Sequence, residues 1–393
     1  MKNRGLAFSL VILSLLLLRT PAHAQAESVS YSIHHQYVSP RALGMGDAFV
    51  AVANDYSAMF YNPAGLAFRE DGELNLSLDL AFTSSFFKFV DDVKKAGDAG
   101  GTESEKQTNI ANAITSQYGR TFGIRTAPTS GIFVRPGWGL AVIPVDLSLE
   151  LTPNNPVIVN ATAYVDTTVA FSYADTVKSI EDAKVSWGVT GKFINRGFFS
   201  KSISFIELAA DSNFVKTSDL KEGYFLDADF GMLYQPHIPA DQWYSLLRLA
   251  RPTFGVVVRN IIDSGSLGSL KLFNKTQSEK PEKLYRVIDI GSRWEYPEIF
   301  IFKGRGVMDI RDIMHPKFSM KKGLHLGFEF DWTMASWWKG SYRFGLSQNY
   351  LTAGVSAMFT VFNLDLVTYG EDAGTFNTPV ENRIYMLRAS MNF

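Results

Sequence analysis

From Leu74 onward the chain alternates with period two. Leu74, Leu76, Leu78, Leu80 and Phe82 are apolar, while Asn75, Ser77, Asp79, Ala81 and Thr83 between them are polar or small. The pattern returns at Val159, Ala161, Ala163, Val165, Val169, Phe171 and Tyr173, which oppose Asn160, Thr162, Asp166, Thr168 and Ser172. It returns again at Tyr224, Leu226, Ala228, Phe230, Met232 and Tyr234, against Asp227, Asp229 and Gly231. A third recurrence sets Leu324, Leu326, Phe328, Phe330 and Trp332 against His325, Gly327, Glu329 and Asp331. Period two is the mark of β-strands, and segments of about ten residues with one apolar and one polar face suit strands standing between lipid and a polar lumen. A soluble sandwich also alternates, but its strands are usually about five or six residues long and turn Lys, Glu and Thr outward. These segments are longer and lack such a face.

Strands are expected near 73–89, 129–136, 138–151, 158–174, 184–196, 222–235, 252–262, 284–296, 299–313, 322–333, 341–347, 350–360, 362–370 and 384–393. That is about fourteen, an even number, as bacterial barrels require. The connections give an independent check, because periplasmic turns are short and extracellular loops long. Long polar pieces follow odd-numbered strands, at 90–128, 197–221, 263–283 and 371–383; short links follow even ones, at Pro136-Gly137, Pro297-Glu298 and Val361. Two connections break the rule: 236–251, with Trp243 and Leu246 to Leu249 suggesting a short helix at the inner interface, and Gln348-Asn349, short for an outer loop.

The amino terminus has a different character. Lys2 and Arg4 precede an apolar run from Leu6 to Leu18, and Ala22-His23-Ala24 precedes Gln25, the three parts of a secretory signal cleaved after Ala24. The run is about a third short of the roughly 20 residues a spanning helix needs. No long apolar stretch follows, so a membrane protein built this way must close its strands into a barrel. Composition agrees: 13% aromatic residues beside 20% charged ones, with Phe 30 and Tyr 16, calls for a medium that covers the rings. A net charge of -1 removes the electrostatic basis for nucleic-acid binding. The absence of cysteine excludes disulfides, thiolate metal sites, a cysteine nucleophile and a lipidated amino-terminal cysteine.

The last strand carries its own signal. Phe393, Met391, Ala389, Leu387 and Tyr385 alternate with Asn392, Ser390 and Arg388, the pattern of a terminal strand presented to the outer-membrane barrel-assembly machinery. Phe393, Met391 and Tyr385 are the expected assembly signal, which places the chain in a Gram-negative outer membrane as an all-β, antiparallel transmembrane barrel in contact with outer-membrane lipids.

Residues 28–70 do not alternate. Ser39-Pro40-Arg41-Ala42-Leu43-Gly44-Met45-Gly46-Asp47-Ala48-Phe49-Val50-Ala51-Val52-Ala53 is followed by Asn54-Asp55-Tyr56-Ser57-Ala58-Met59-Phe60-Tyr61-Asn62-Pro63-Ala64-Gly65-Leu66. About forty such residues, too polar for lipid and too apolar for a tail, are expected to fill the lumen as a plug. Gly44 and Gly46 permit close approach to the wall, and Gly65 releases the chain after the turn at Pro63. The expected organisation is a leader at 1–24, a plug at 25–72 and a barrel at 73–393.

The run from Arg41 to Leu66 resembles the hatch of FadL-type outer-membrane transporters and of the related PorV/PorQ-like proteins, with Asn62-Pro63-Ala64 matching their Asn-Pro-Ala motif. The end of the chain, from Leu351-Thr352-Ala353-Gly354 through Tyr369-Gly370-Glu371 to Arg383 and Phe393, is similar to the same group. The resemblance implies a fourteen-stranded barrel with an N-terminal hatch, passive uptake of long-chain fatty acids or other hydrophobic compounds, and sideways release at a kinked third strand. Arg41, Gly44, Gly46, Asn62, Pro63, Ala64 and Gly65 are then the plug and gating candidates. Pro144, in the third expected strand, cannot donate to the ladder and is the candidate for a lateral opening; a bulge that tolerates the proline is the equal alternative. The PorV-like branch implies instead an outer-membrane component of protein secretion with a secretion-system partner, and the residues do not separate the two.

Catalysis has thin support. Of six histidines only His325 takes a lumen-facing phase, near Glu329 and Asp331, and such a residue is more often salt-bridged than catalytic. Asp79, Asp146, Asp166, Lys192, Asp227, Asp229, Asp289, Arg293, Glu329, Asp331, Arg343 and Asp365 are expected to point inward in paired networks, with Arg41 meeting the acids. No metal-ligand spacing appears, and no cofactor or catalytic residue is expected.

Overall fold

The structure, a computed structural model, describes residues 32–155, 157–177, 183–210, 217–238, 247–276, 279–374 and 379–393. The expected leader and the first residues of the expected plug lie outside the described residues, as does Trp243.

Fourteen antiparallel strands each pair with the next, and β1 returns to β14, so that no edge is left open. They are β1 Glu73–Thr83, β2 Phe122–Arg135, β3 Trp138–Asn154, β4 Ile158–Thr176, β5 Ala183–Ser204, β6 Lys221–Pro236 and β7 Thr253–Arg259, then β8 Val287–Glu295, β9 Phe302–Ile313, β10 Leu324–Ala335, β11 Trp338–Ser347, β12 Tyr350–Phe359, β13 Phe362–Asp372 and β14 Glu381–Asn392. This is the barrel that the alternation predicts. Leu76, Leu78, Leu140, Phe171, Leu226, Phe328, Phe344 and Leu366 stand exposed on the outer wall, while Asn75, Asp79, Asp166, Asp229 and Glu329 are buried inside. Among the described residues no helix is long and apolar enough to cross a membrane.

At closure Leu78 faces Ala389, Asp79 faces Arg388 and Phe82 faces Tyr385. Phe393 adds a last rung, donating its N–H to the Leu74 carbonyl and accepting in return (3.0 and 2.9 Å). The outward phase of Tyr385, Leu387, Ala389 and Met391 is as expected.

The wall is uneven. β4 and β5 run 19 and 22 residues, β11 and β12 only 10 each. Strand boundaries differ from expectation where the wall is tall. β1 stops at Thr83 because Phe86 and Phe89 recur at helical spacing, and residues Phe86–Asp98 and Glu103–Thr115 form a helical hairpin rather than a polar loop. The second helix is opened by a capping box between Thr102 and Glu105. Val159, Ala161, Ala163, Phe199 and Ile203 share the phase of lipid-facing Val169 yet are buried, because Phe86, Phe89, Ile110 and Ile114 of the hairpin pack over them from outside. β2 therefore begins at Phe122 rather than 129, and β5 continues to Ser204. Gln348-Asn349 is indeed a tight turn, with φ of 53° and 71° at its two residues, the positive pair that a two-residue hairpin favours.

The end that carries Glu73 and Phe393 has the short turns. Trp138, Trp187, Trp294, Trp332, Trp337 and Trp338 all lie at this end. Trp332 and Trp338 meet edge-on at 5.5 Å, as do Phe254 and Trp294 at 6.1 Å. Indole rings of this kind mark a membrane–water interface.

Candidate functional site

Residues 32–72 run down the inside of the barrel, from Ser32 beside Glu150 near the loop end to Leu66, whose carbonyl receives the Gly137 N–H of the β2–β3 turn (3.0 Å). Short helical turns at Pro40–Gly44 and Ala58–Tyr61 and a 3-10 turn at Pro63–Phe68 shape the segment. Its two sides differ in chemistry. Toward β2–β4 the contact is mostly apolar: Tyr37, Val52, Met59, Phe60 and Leu66 join Ile132, Val134, Ala141, Ile143, Ala170 and Ala174 in a buried cluster that Met45, Phe49 and Val307 extend toward β9.

Toward β9–β14 the contact is ionic. Arg41 bonds both oxygens of Glu329 (Nε–Oε1 and Nη2–Oε2, 2.8 Å each) and reaches Asp55 at 2.8 Å. Glu329 is shared with Arg343 (2.8 Å) and Arg305 (3.4 Å). Asp47 pairs with Arg311, and Tyr61 donates to Asp47 at 2.8 Å. Burial works to raise the Asp47 carboxyl, but Arg311 beside it prevails and holds it below the usual range. The same balance, burial against Arg41, lowers Asp55. Nearer the loop end His34 lies flat on Tyr164 (3.9 Å between centroids) and contacts Asp166 at 3.3 Å. Burial pushes His34 down to about 4, against the opposing pull of its bond to Asp166.

Asn62 sits at the turn of the segment. Its Nδ2 donates to the carbonyls of Val50 (2.9 Å) and Met232 of β6 (3.2 Å), and its Oδ1 accepts from Ala64 N–H (3.1 Å). Pro63 then occupies the first position of the 3-10 turn, where a missing N–H costs nothing. The Asn-Pro-Ala sequence thus ties the inner segment to itself and to the wall at one point.

The wall accommodates the segment with glycines. A Cβ at Gly231 would collide with Asn62, one at Gly188 with Pro63 and Ala64, one at Gly255 with Val50, and ones at Gly327 and Gly345 with Met45 and Gly46. Gly188 faces Gly231 across β5–β6, and Gly327 faces Gly345 across β10–β11, so paired absences of side chain form tracks for the inner backbone. Sequence reasoning missed these residues. Their signal was glycine in the inward phase, where a polar side chain is otherwise the rule. Gly44 approaches Arg343 and Val367, and Gly46, at φ +67°, lies against Leu326 and Leu346. Gly65 is close instead to Ala53 of the same segment, not to the wall.

Pro144 lies at a break in the wall. β2 and β3 pair from Phe122–Leu151 to Thr126–Leu147 and again from Gly131–Val142, with no pairing between. The β3–β4 register shifts between Ile143 and Asp146. Pro128 and Pro144 both occur in this gap and are exposed outward; neither has an N–H to give a ladder. A cavity behind the gap is lined by Tyr37, Val38, Ala81, Ala127, Ile143 and Met386 with Asp79 and Asp146 at its polar end. Arg125 and Asp146 bridge β2 to β3 beside the gap (2.6 Å), and Arg125 also donates to the His35 carbonyl (2.8 Å).

His325 does not join Glu329 and Asp331, as its phase had suggested. Its Nδ1 lies 2.6 Å from the Gly46 carbonyl and 3.3 Å from Ser347, while Glu329 is taken up by three arginines. Arg305 pairs with Asp331 at 2.7 Å. Among the described residues no cluster of His, Asp or Glu has the arrangement of a metal site.

No protein-family model matches the chain, and no curated protein matches it in sequence. Among solved structures it is similar to the toluene transporter TbuX of Ralstonia pickettii (11% identity, 91% of this chain and 98% of that one, TM-score 0.46). It is also similar to a FadL homologue of Pseudomonas aeruginosa (10% identity, 92% and 99%, TM-score 0.44) and to the monoaromatic hydrocarbon channel CymD (10%, 91% and 97%, TM-score 0.46).

Proposed function

We propose that the protein is an outer-membrane channel for passive uptake of hydrophobic compounds, long-chain fatty acids among them, in which residues 32–72 act as a mobile plug. The observation that carries the reading is the unpaired stretch of β2–β3 at Pro128 and Pro144, behind which lies a small cavity of about 10 Å³ that a movement of the plug would widen. A continuous wall offers an apolar solute no way into the bilayer, whereas a gap in the ladder beside an apolar plug face does. The short-turn end is then periplasmic and the tall end, with its helical hairpin, extracellular.

The division of the plug sets its motion. The ionic side, Arg41–Glu329 and Asp47–Arg311, is buried and directional and stays bound. The side toward β2–β4 is held along its middle by apolar packing, with its directional contacts at the two ends, Gly137 to Leu66 and Arg125 to His35, so an apolar ligand can replace the packing between them. Asn62, Pro63, Ala64 and Gly65 form the pivot, Gly44 and Gly46 seat the bound side against β10, β11 and β13, and Pro144 is the site of lateral release. The barrel-assembly machinery inserts the chain through Phe393, Met391 and Tyr385.

The test is composition of the purified protein. Solvent extraction of the detergent-solubilised barrel should release a bound lipid or hydrophobic solute in near-stoichiometric amount. A barrel that carries none but copurifies with a stable secretion component would transfer the reading to a secretion role.

A further inference from the structure

The connection between β8 and β9 is a hairpin that continues past the strand ends: Tyr296 N–H bonds the Gly304 carbonyl (2.8 Å), and Ile299 and Phe302 exchange bonds at 3.0 Å. Its tip reads Ile299-Phe300-Ile301-Phe302. Turn tips in water favour Gly, Asn and Asp, which tolerate positive φ and solvent. Here Phe300 has φ +53° and is 98% exposed, beside Ile299 at 63%. A bulky residue in that backbone region is strained, and among the described residues nothing covers its ring, so the residue serves something outside the fold.

The surroundings say what that is. The hairpin is two-faced. Trp294, Tyr296 and Phe302 share the outward phase of lipid-facing Phe328 and Phe330, while Glu295, Lys303 and Arg305 take the inward phase. The apolar face of the tip is therefore continuous with the lipid-facing wall through the tryptophan belt. Next to it, against β8, the short helix Leu247–Ala250 alternates exposed Leu247 and Leu249 with Arg248, and Arg251 follows. Apolar side chains interleaved with guanidinium groups at a membrane interface match the acyl boundary and the phosphates of a phospholipid layer.

We infer that the β8–β9 hairpin tip and the Leu247–Ala250 helix form a lip that inserts into the phospholipid headgroup layer on the short-turn side of the membrane. The lip holds the β7–β9 side of the barrel at a fixed depth, opposite the tall wall that carries the gap. It depends on the barrel spanning a membrane and not on what the barrel transports.

Because the chain has no cysteine, single-site labelling is clean. Phe300→Cys, Ile301→Cys and Leu249→Cys variants, each carrying a nitroxide and shown to be folded by heat-modifiable mobility, are reconstituted in phosphatidylethanolamine–phosphatidylglycerol vesicles. Collision with oxygen is then compared with collision with a water-soluble nickel chelate. Leu366→Cys on the outer wall supplies the lipid reference and Asp71→Cys, exposed at the short-turn end, the aqueous one. The lip labels should favour oxygen over nickel several-fold more than Asp71→Cys does. Values equal to Asp71→Cys at all three positions would overturn the inference and mark the tip as water-borne, free to meet a protein instead.

Discussion

Asn62 of the inner segment lies directly on Gly231 of β6, so close that a methyl group on the glycine would overlap the carboxamide oxygen. Gly231→Ala should therefore displace the Asn62 turn without opening the barrel, whose β5–β6 and β6–β7 ladders do not use the missing side chain. Overpacking of this kind costs about 1–3 kcal/mol. The reaction of an Ala48→Cys thiol, buried in the unaltered protein, with a polar maleimide should rise about tenfold or more, since about 1.4 kcal/mol is tenfold in an opening equilibrium. Unchanged labelling would mean that the contact does not hold the segment.

Arg388 is fully buried and clamps three things together: Asp79 of β1 (Nη2–Oδ2, 2.6 Å), the hydroxyls of Tyr37 and Tyr56 (3.0 and 3.1 Å), and the Val38 carbonyl (3.0 Å). Arg388→Met leaves the Asp79 carboxylate buried without a partner, a loss of about 3–5 kcal/mol. The heat-induced mobility shift should fall to markedly lower temperature, and Asp79→Leu in the same chain should restore much of it by removing the stranded charge. Failure of the second change to help would place the loss in the tyrosine contacts instead.

Acidification should loosen the inner segment in two stages. Burial holds both His34 and His315 at about 4, against an ordinary value near 6.5. Between these values the unfolded chain binds protons that the folded one does not, so their contribution is lost as pH falls from about 6.5 to about 4 and changes no further below. Asp47 and Asp55 are held below the carboxylate range, so theirs is present above about 3.9 and is lost only in stronger acid. The midpoint of the heat-modifiable transition should drop between pH 6.5 and 4, and His34→Gln should flatten that slope. An equal slope in the variant would remove His34 from the effect.

Much of this architecture is legible in the sequence because a barrel wall is written in period two, and period two survives in the chain wherever one side meets lipid and the other the lumen. That is why the order of all fourteen strands and the phase of Asp79, Asp166, Glu329 and Arg388 follow from inspection. Inspection fails where a third layer covers the wall. Val159 and Phe199 keep the outward phase above the lipid but pack against Phe89 and Ile110, and nothing in their own strands announces the helical hairpin. The pairing of Gly188 with Gly231 fails for another reason, since register between strands distant in sequence decides which glycines meet. The partner of His325 was misjudged because the nearest acids in sequence were already claimed by Arg41, Arg305 and Arg343.

Phe393 closes the barrel by a reciprocal pair of backbone bonds with Leu74 while its ring points outward, exposed. Phe393→Asp keeps both backbone bonds and exchanges the aromatic ring for a carboxylate, so its effect is read on assembly rather than on closure. The variant should be exported and trimmed to begin at Gln25, yet accumulate in the periplasm with its outer-membrane level reduced at least several-fold. Normal outer-membrane levels would refute the role of the ring.

Passage of apolar solutes by way of the plug is read as uptake by whole cells. Cells lacking the protein, cells with the unaltered chain and cells with Asn62→Ala are given a labelled long-chain fatty acid or aromatic hydrocarbon at limiting concentration. Asn62→Ala keeps the barrel but leaves the carbonyls of Val50 and Met232 without their donor, a change of about 1–3 kcal/mol confined to the pivot. Initial uptake should stand well above the empty strain for the unaltered chain and fall several-fold for Asn62→Ala at equal outer-membrane abundance. Uptake of every such compound at the level of the empty strain would contradict that passage.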